Sequence, residues 1–150
     1  MIGVVVATHG RLAEELLRAA EGICGELPQC RAMTLSAASA MDDAREALAE
    51  HIADVDQGDG VLVLTDMFGG TPANLALTFL DERIEVVTGV NLPMLMKLAT
   101  CRGPDARLEE VAKLVASHGQ KNITLASELL RARSNGTPSP KDKAKDQKDR

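Results

Sequence analysis

Residues 61–74 have the sequence VLVLTDMFGGTPAN, in which an apolar run is followed at once by polar residues and glycines. The run Val61–Thr65 is short and rich in β-branched residues, which predicts a strand buried on both faces. Residues 66–70 predict a loop. Thr71 followed by Pro72 is typical of an N-cap and the first helical position. This stretch therefore predicts a strand, a loop and a helix.

The same alternation extends along the chain. Apolar runs predict further strands at residues 2–7, 30–35, 84–88 and 122–126. Apolar residues at helical spacing predict helices between and after the strands. These helices begin near residues 12, 39 or 42, 71, 93, 108 and 127, and the third is expected to reach about residue 81. Strands that alternate with helices indicate a doubly wound, mostly parallel α/β sheet with helices on both faces. We expect its strand order to begin 2-1-3-4.

Bulk composition fits one globular domain. Of the 150 residues, 45% are hydrophobic and 26% are charged. The apolar runs are too short to span a bilayer, so no direct membrane insertion is expected. The N-terminus has none of the features of a secretory signal. The sequence therefore predicts a cytoplasmic protein.

Charge separates the chain into two parts. Residues 134–150 contain five Lys or Arg and three Asp, so this segment carries +2 and the rest of the chain carries −7. We predict a domain at residues 1–133 and a disordered charged tail at 134–150, because the tail has almost no apolar residues. The acidic body and the lack of Trp and Tyr argue against nucleic-acid binding.

The cysteines do not form a recognisable framework. Cys24, Cys30 and Cys101 are odd in number and include no C-x-x-C pair. The spacing argues against a disulfide framework and a zinc site, and we expect three buried thiols in a reducing compartment. No metal and no cofactor are predicted.

Two polar motifs follow predicted strands. His9 comes directly after the first strand, and Asp66 comes directly after the third. Ligands of parallel α/β sheets bind beyond the carboxyl ends of the strands, where the strand order reverses. With an order beginning 2-1-3, His9 and Asp66 face each other across that crevice.

This pair has a chemical interpretation. A neutral imidazole is a nucleophile near pH 7, because the reference pKa of histidine is about 6.5. A carboxylate that accepts a hydrogen bond from one ring nitrogen leaves the lone pair of the other exposed. We therefore predict that His9 is a nucleophile and that Asp66 orients it.

Glycines near this pair predict a phosphate site. Gly69 and Gly70 allow backbone N–H groups to converge on an anion, and Thr71 offers a hydroxyl. Gly10 opens the first helix in the same crevice. Phosphoryl transfer depends mainly on positioning and charge stabilisation. The combination favours a phosphohistidine carrier.

Each element alone has a simpler explanation. A histidine after a strand is often a polar turn residue, and G-G-[ST]-P is a common way to begin a helix. A domain that binds a nucleotide or an acidic metabolite is the competing hypothesis. It is disfavoured because neither G-x-G-x-x-G nor G-x-x-x-x-G-K-[ST] occurs in the chain.

Three ordered blocks resemble the mannose-family enzyme IIA component of the bacterial phosphoenolpyruvate–sugar phosphotransferase system. They are VVVATHG at residues 4–10, GVLVLTDMFGGTPAN at 60–74 and VVTGVNLPML at 86–95. The resemblance extends over about residues 2–130. It implies a doubly wound sheet whose last strand is antiparallel, and a homodimer that often exchanges this strand.

The resemblance also implies a route for the phosphoryl group. His9 would receive it from the phosphohistidine carrier protein HPr and pass it to a IIB component, which we expect to be a separate protein. Asp66 matches the residue that orients the histidine, and Thr71 stands within reach of the phosphate. Two alternatives remain: a regulatory module whose phosphorylation state controls partner binding, and the phosphocarrier of a dihydroxyacetone kinase.

Overall fold

The computed structural model describes residues 1–136, which form four strands and six helices in regular alternation up to the fourth helix. In chain order the elements are β1 Gly3–His9, α1 Leu12–Cys24, β2 Cys30–Leu35, α2 Met41–Val55, β3 Val61–Thr65, α3 Thr71–Leu77, β4 Ile84–Thr88, α4 Leu92–Cys101, α5 Leu108–Lys121 and α6 Ala126–Ser134. Most of the predicted tail, residues 137–150, lies outside the described residues.

The sheet has the strand order β2-β1-β3-β4, and every neighbouring pair is parallel. The predicted order 2-1-3-4 is confirmed. The register pairs Ala7 of β1 with Thr65 of β3, so the carboxyl ends of these two central strands are level. Strand order reverses between them, because β2 lies on one side of β1 and β3 lies on the other.

Successive residues of β1 face two different cores. Val4 and Val6 pack with apolar residues of α1, α4 and α5, whereas Val5 and Ala7 pack with those of α2 and α3. All four side chains are fully buried. The sheet is therefore the middle of three layers, and this explains why its two central strands, β1 and β3, are nearly continuous apolar runs.

Two compact units divide the chain. The first spans Met1–Gln120 and contains the whole sheet. The second begins at Lys121, and its described residues contain α6. Among residues 1–136, no helix has both the length and the apolar character needed to cross a membrane.

The predicted strand at residues 122–126 is absent from the described structure. Residues 123–125 have no regular secondary structure, and α6 begins at Ala126. Ile123 and Leu125 are 77% and 62% exposed. A strand exists only where its backbone pairs with a neighbour, and within residues 1–136 this segment has no strand partner.

Helix α3 is shorter than expected, since it ends at Leu77 and not near residue 81. The amide of Thr78 donates to the carbonyl of Leu75, and the amide of Phe79 donates to that of Ala76. These bonds reach back three residues, so the chain tightens after Leu77. The apolar pattern continued past the point where the helical hydrogen bonds stop.

One cysteine departs from the prediction. Cys30 is buried and Cys101 is half-buried, but Cys24 is exposed. Its thiol lies 3.1 Å from the carbonyl oxygen of Ala20, at the last position of α1. The last turn of an amphipathic helix faces solvent once the sheet no longer covers it.

Candidate functional site

His9 and Asp66 meet at the carboxyl edge of the sheet. His9 is the last residue of β1, and Asp66 follows β3 directly. The side chain of His9 is 50% exposed, whereas that of Asp66 is 13% exposed. The sequence predicted this pairing, and the structure brings the two residues together with the imidazole at the surface.

Three N–H groups hold the Asp66 carboxylate. Its Oδ2 atom lies 2.8 Å from Nδ1 of His9 and accepts a 3.0 Å hydrogen bond from the His9 amide. Its Oδ1 atom accepts a 3.0 Å hydrogen bond from the amide of Met67. These three contacts hold the carboxylate against the His9 ring and its backbone.

The charge of Asp66 determines the proton position on His9. Burial by itself raises the pKa of Asp66, but hydrogen bonds from the His9 ring, the His9 amide and the Met67 amide outweigh it and leave that pKa below its ordinary value. Asp66 is thus ionised at neutral pH and only accepts hydrogen bonds. In a neutral His9 ring the proton is therefore on Nδ1 and the lone pair is on Nε2.

Gly70 packs against the Cε1–Nε2 side of the His9 ring. A Cβ atom built on Gly70 would lie 2.6 Å from Cε1 and 3.2 Å from Nε2 of His9. Only a glycine lets the backbone come this close to the imidazole without moving it. The loop that carries Asp66 therefore also sets the position of Nε2.

The amides of Gly69, Gly70 and Thr71 make no hydrogen bond within residues 1–136. Gly69 has a φ of +86°, which turns the chain at the start of α3. Within residues 1–136 these N–H groups are therefore open, as an anion-binding loop requires.

Thr71 differs from its predicted role in the helix. Gly70 is the N-cap of α3, so Thr71 occupies the first helical position and Pro72 the second. No side chain caps this helix. The Thr71 hydroxyl is exposed and has no partner within the described residues, which leaves it available to a ligand.

Gly10 contributes through its conformation. Its φ is +54°, a left-handed value that suits glycine. Its amide donates a 3.2 Å hydrogen bond to the carbonyl of Leu35, so that N–H is already occupied. The expected contribution of the Gly10 amide to an anion site is therefore not supported by the geometry.

Two buried threonines next to the site were given no role from the sequence. The Thr8 hydroxyl accepts a 2.8 Å hydrogen bond from the amide of Ala13 and so ties the first turn of α1 to the end of β1. The carbonyl of Thr65 accepts hydrogen bonds of 2.9 Å from the amides of Gly89 and Val90. Thr8 lies three residues before the N-cap Arg11, so no capping signal marks its hydroxyl, and nothing in the sequence marks the carbonyl of Thr65.

Residues 3–124 match the sequence profile of the EIIA-man family, described as PTS system fructose IIA component, where PTS is the phosphotransferase system. The chain is 32% identical over 124 residues to the PTS system mannose-specific EIIAB component of Escherichia coli (strain K12). This alignment covers 81% of the chain and 38% of that relative. The chain thus spans about two fifths of the length of this relative.

Two further proteins match over nearly their whole length. The PTS system fructose-specific EIIA component of Bacillus subtilis (strain 168) is 30% identical over 132 residues, covering 87% of the chain and 90% of the relative. The crystal structure of phosphotransferase system component EIIA from Streptococcus agalactiae superposes with a TM-score of 0.77 at 27% identity, covering 85% and 99%. The chain therefore belongs to the EIIA-man family of phosphotransferase-system IIA components.

Proposed function

We propose that this protein is a phosphocarrier that accepts a phosphoryl group on Nε2 of His9 and passes it to another protein of the phosphotransferase system. The observation that carries the proposal is the 2.8 Å contact between Nδ1 of His9 and the Asp66 carboxylate. This contact leaves the lone pair of the exposed imidazole on the nitrogen next to Gly70.

The transfer step is a substitution at phosphorus. The Nε2 lone pair of His9 forms a bond to the phosphorus of a phosphohistidine on the donor. The donor's P–N bond breaks, and its electron pair returns to the donor's ring nitrogen. The proton on Nδ1 stays between the ring and Asp66, whose negative charge stabilises the positive charge that develops on the His9 ring.

The loop after Asp66 supplies the binding groups for the phosphoryl oxygens. We assign this role to the open amides of Gly69, Gly70 and Thr71 and to the Thr71 hydroxyl. Donors placed in advance around a transferring phosphoryl group stabilise its charge without reorganisation.

The partners follow from family membership. We propose HPr as the phosphoryl donor and a IIB component as the acceptor, in the uptake of a sugar and in the cytoplasm. The mannose-specific relative from Escherichia coli is named an EIIAB component, which supports a IIB acceptor. The fructose-specific relative from Bacillus subtilis is named an EIIA component alone.

Intact-mass spectrometry at neutral pH tests the carrier role. The protein is incubated with phosphoenolpyruvate, enzyme I and HPr, and wild type is compared with His9→Ala and with His51→Ala as a matched control on α2. We expect one acid-labile phosphoryl group on wild type and on the control, and none on His9→Ala. Phosphate uptake by His9→Ala would place the group elsewhere. Adding a IIB protein then distinguishes relay, in which the label moves on, from a purely regulatory phosphorylation.

We further propose a homodimer in which residues 122–126 of one subunit pair with β4 of the other. Strand β4 is at the edge of the sheet and pairs only with β3 within the described residues. An exposed edge strand is a template for another chain. Light scattering of wild type should give twice the monomer mass, and Thr124→Pro should shift it toward the monomer, since proline removes a backbone donor. A monomeric wild type at micromolar concentration would contradict the dimer.

A further inference from the structure

Arg11 is a cationic residue in a loop at the edge of the sheet that carries His9. Four loops follow the strands at this edge, at residues 10–11, 36–40, 66–70 and 89–91. Arg11 is the one lysine or arginine among these loop residues, all of which the structure describes. Its side chain is 71% exposed. Among these four loops, Arg11 is therefore the cation available to a phosphoryl group on His9.

Two carboxylates of α1 hold this guanidinium in the described state. Its Nε atom donates to Oε2 of Glu14 at 3.1 Å, and Nη2 lies 3.9 Å from Oε1 of Glu15. Glu14 is itself held from the other side, where Oε1 accepts a 3.2 Å hydrogen bond from the Thr34 hydroxyl on β2. The hydrogen bonds from Arg11 and Thr34 keep the pKa of Glu14 below its ordinary value. The pair is charged at neutral pH and exposed to solvent, so it is weak and readily exchanged.

The distance to His9 is short. One residue separates Arg11 from His9, so their Cα atoms are at most about 7 Å apart. That residue is Gly10, whose left-handed conformation makes the turn into α1. An arginine side chain is long enough to cover such a distance by rotation about its own bonds.

The negative charges at this edge of the sheet favour rotation of the Arg11 side chain toward a phosphoryl group on His9. A phosphoryl group brings nearly two negative charges to a site that already contains Asp66, Glu14 and Glu15. A guanidinium binds phosphoryl oxygens through paired N–H donors, and such charge-assisted hydrogen bonds are stronger than exposed ion pairs.

We propose that Arg11 changes its partner when His9 is phosphorylated. Before phosphorylation its guanidinium pairs with Glu14; once Nε2 of His9 carries a phosphoryl group, the guanidinium leaves Glu14 and donates a hydrogen bond to a phosphoryl oxygen. This inference rests on the proposed phosphocarrier function. Glu14 then competes with the phosphoryl group for the same cation. Removing its charge therefore strengthens phosphoryl binding, whereas removing Arg11 weakens it.

The test measures the equilibrium constant for phosphoryl exchange between phospho-HPr and this protein, together with the ³¹P NMR shift of phosphorylated His9. Arg11→Gln should lower the equilibrium constant about tenfold, the effect of a hydrogen bond to a charged group, and move the ³¹P resonance. Arg11→Lys should recover part of the loss, since it keeps the charge without the paired donors. Glu14→Gln should raise the constant about two- to fivefold, within the range of an exposed ion pair.

Arg18→Gln is the matched control. Arg18 also pairs with Glu15, at 3.2 Å, and its loss changes the net charge equally, but it lies farther along α1. We expect it to leave both readouts at wild-type values. Equal effects of Arg11→Gln and Arg18→Gln would reduce the result to net charge and overturn the proposal. So would an Arg11→Gln effect on the transfer rate with both readouts unchanged, which would assign Arg11 to partner docking.

The two proposals fail in different ways. If wild type takes up no phosphoryl group, the phosphocarrier function fails. If wild type is phosphorylated on His9 and Arg11→Gln matches it in equilibrium constant and in ³¹P shift, only the role of Arg11 fails.

Discussion

Oδ2 of Asp66 contacts both the ring and the backbone of His9, at 2.8 Å from Nδ1 and 3.0 Å from the amide nitrogen. One oxygen thus fixes the tautomer of the imidazole and the end of the strand that carries it. Because the carboxylate holds two atoms of the same residue, the ring has little freedom to turn away from the loop at Gly70.

Replacing Asp66 by Asn should slow phosphoryl transfer more than tenfold while the fold is retained. The amide presents a donor to Nδ1 and so favours the tautomer with the proton on Nε2. A tenfold loss corresponds to about 1.4 kcal/mol in the barrier. Rapid-quench transfer from phospho-HPr measures it. Asp56→Asn is the control, since Asp56 pairs with Arg83 away from His9. Equal rates for Asp66→Asn and wild type would remove Asp66 from the mechanism.

Acid should reduce the stabilising effect of Asp66. Its pKa in the folded protein lies below the ordinary value because the hydrogen bonds from His9 and Met67 outweigh burial. The carboxylate therefore stabilises the fold above the unfolded-state pKa of about 3.9, and this contribution is lost as the pH falls through the lower folded-state pKa.

Urea unfolding of wild type and Asp66→Asn at several pH values between 7 and 3 checks this effect. The difference in their free energies of unfolding should be present above about pH 4 and should shrink as the pH falls below that value. Other carboxylates with lowered pKa values are present in both proteins and cancel in the difference. A gap that is constant across this range would show that Asp66 titrates alike in the folded and unfolded chains.

Gly70→Ala should reduce transfer about 10²-fold, the cost of misplacing a reacting group by about 1 Å. The new methyl group would lie 2.6 Å from Cε1 of His9 and push the ring aside. The backbone of Gly70, with φ −96° and ψ 171°, suits alanine, so the effect comes from the contact alone.

Gly22→Ala provides the comparison for Gly70→Ala. Gly22 lies in α1 with nothing within 4 Å of an added Cβ, so the change should leave transfer unaltered and stabilise the protein by about 0.5–1 kcal/mol. The transfer rates of both variants test the contact with His9, and their melting temperatures test the effect on stability. A Gly70→Ala protein with normal transfer would contradict the close packing at the ring.

Thr65→Val and Thr8→Val should have opposite effects on stability. The Thr65 hydroxyl is buried and has no hydrogen-bond partner within residues 1–136, so its removal should raise the free energy of unfolding by about 1 kcal/mol. Removing the Thr8 hydroxyl leaves the amide of Ala13 without its acceptor and should cost about 1–3 kcal/mol. Urea unfolding measures both, and the same sign for the two variants would contradict the hydrogen-bond assignments.

Much of the fold was predictable from local patterns. The strands at 30–35, 61–65 and 84–88 have the predicted bounds. Strand β3 was the clearest of them, because it is buried on both faces and is therefore an unbroken apolar run. The last predicted strand, at 122–126, is not formed within the described residues. Its alternating pattern meets the local requirement of a strand, but pairing requires a neighbour that the pattern does not supply.

The candidate site also has features that were predictable from the sequence and features that were not. His9 and Asp66 were predictable as partners because each follows a central strand, and parallel strands bring their carboxyl ends to one edge. The occupied amide of Gly10 and the N-cap at Gly70 were not predictable, since both depend on contacts that form only after the strands have paired.

The sequence by itself determined the order of the elements, the two faces of the sheet and the pair of residues at its edge, because periodicity and residue type are local properties of the chain. The tertiary structure decided which nitrogen of His9 is free and how closely Gly70 approaches it. These depend on distances of a few ångströms between segments far apart in the chain or on different sides of a turn, and only packing of the whole sheet sets such distances.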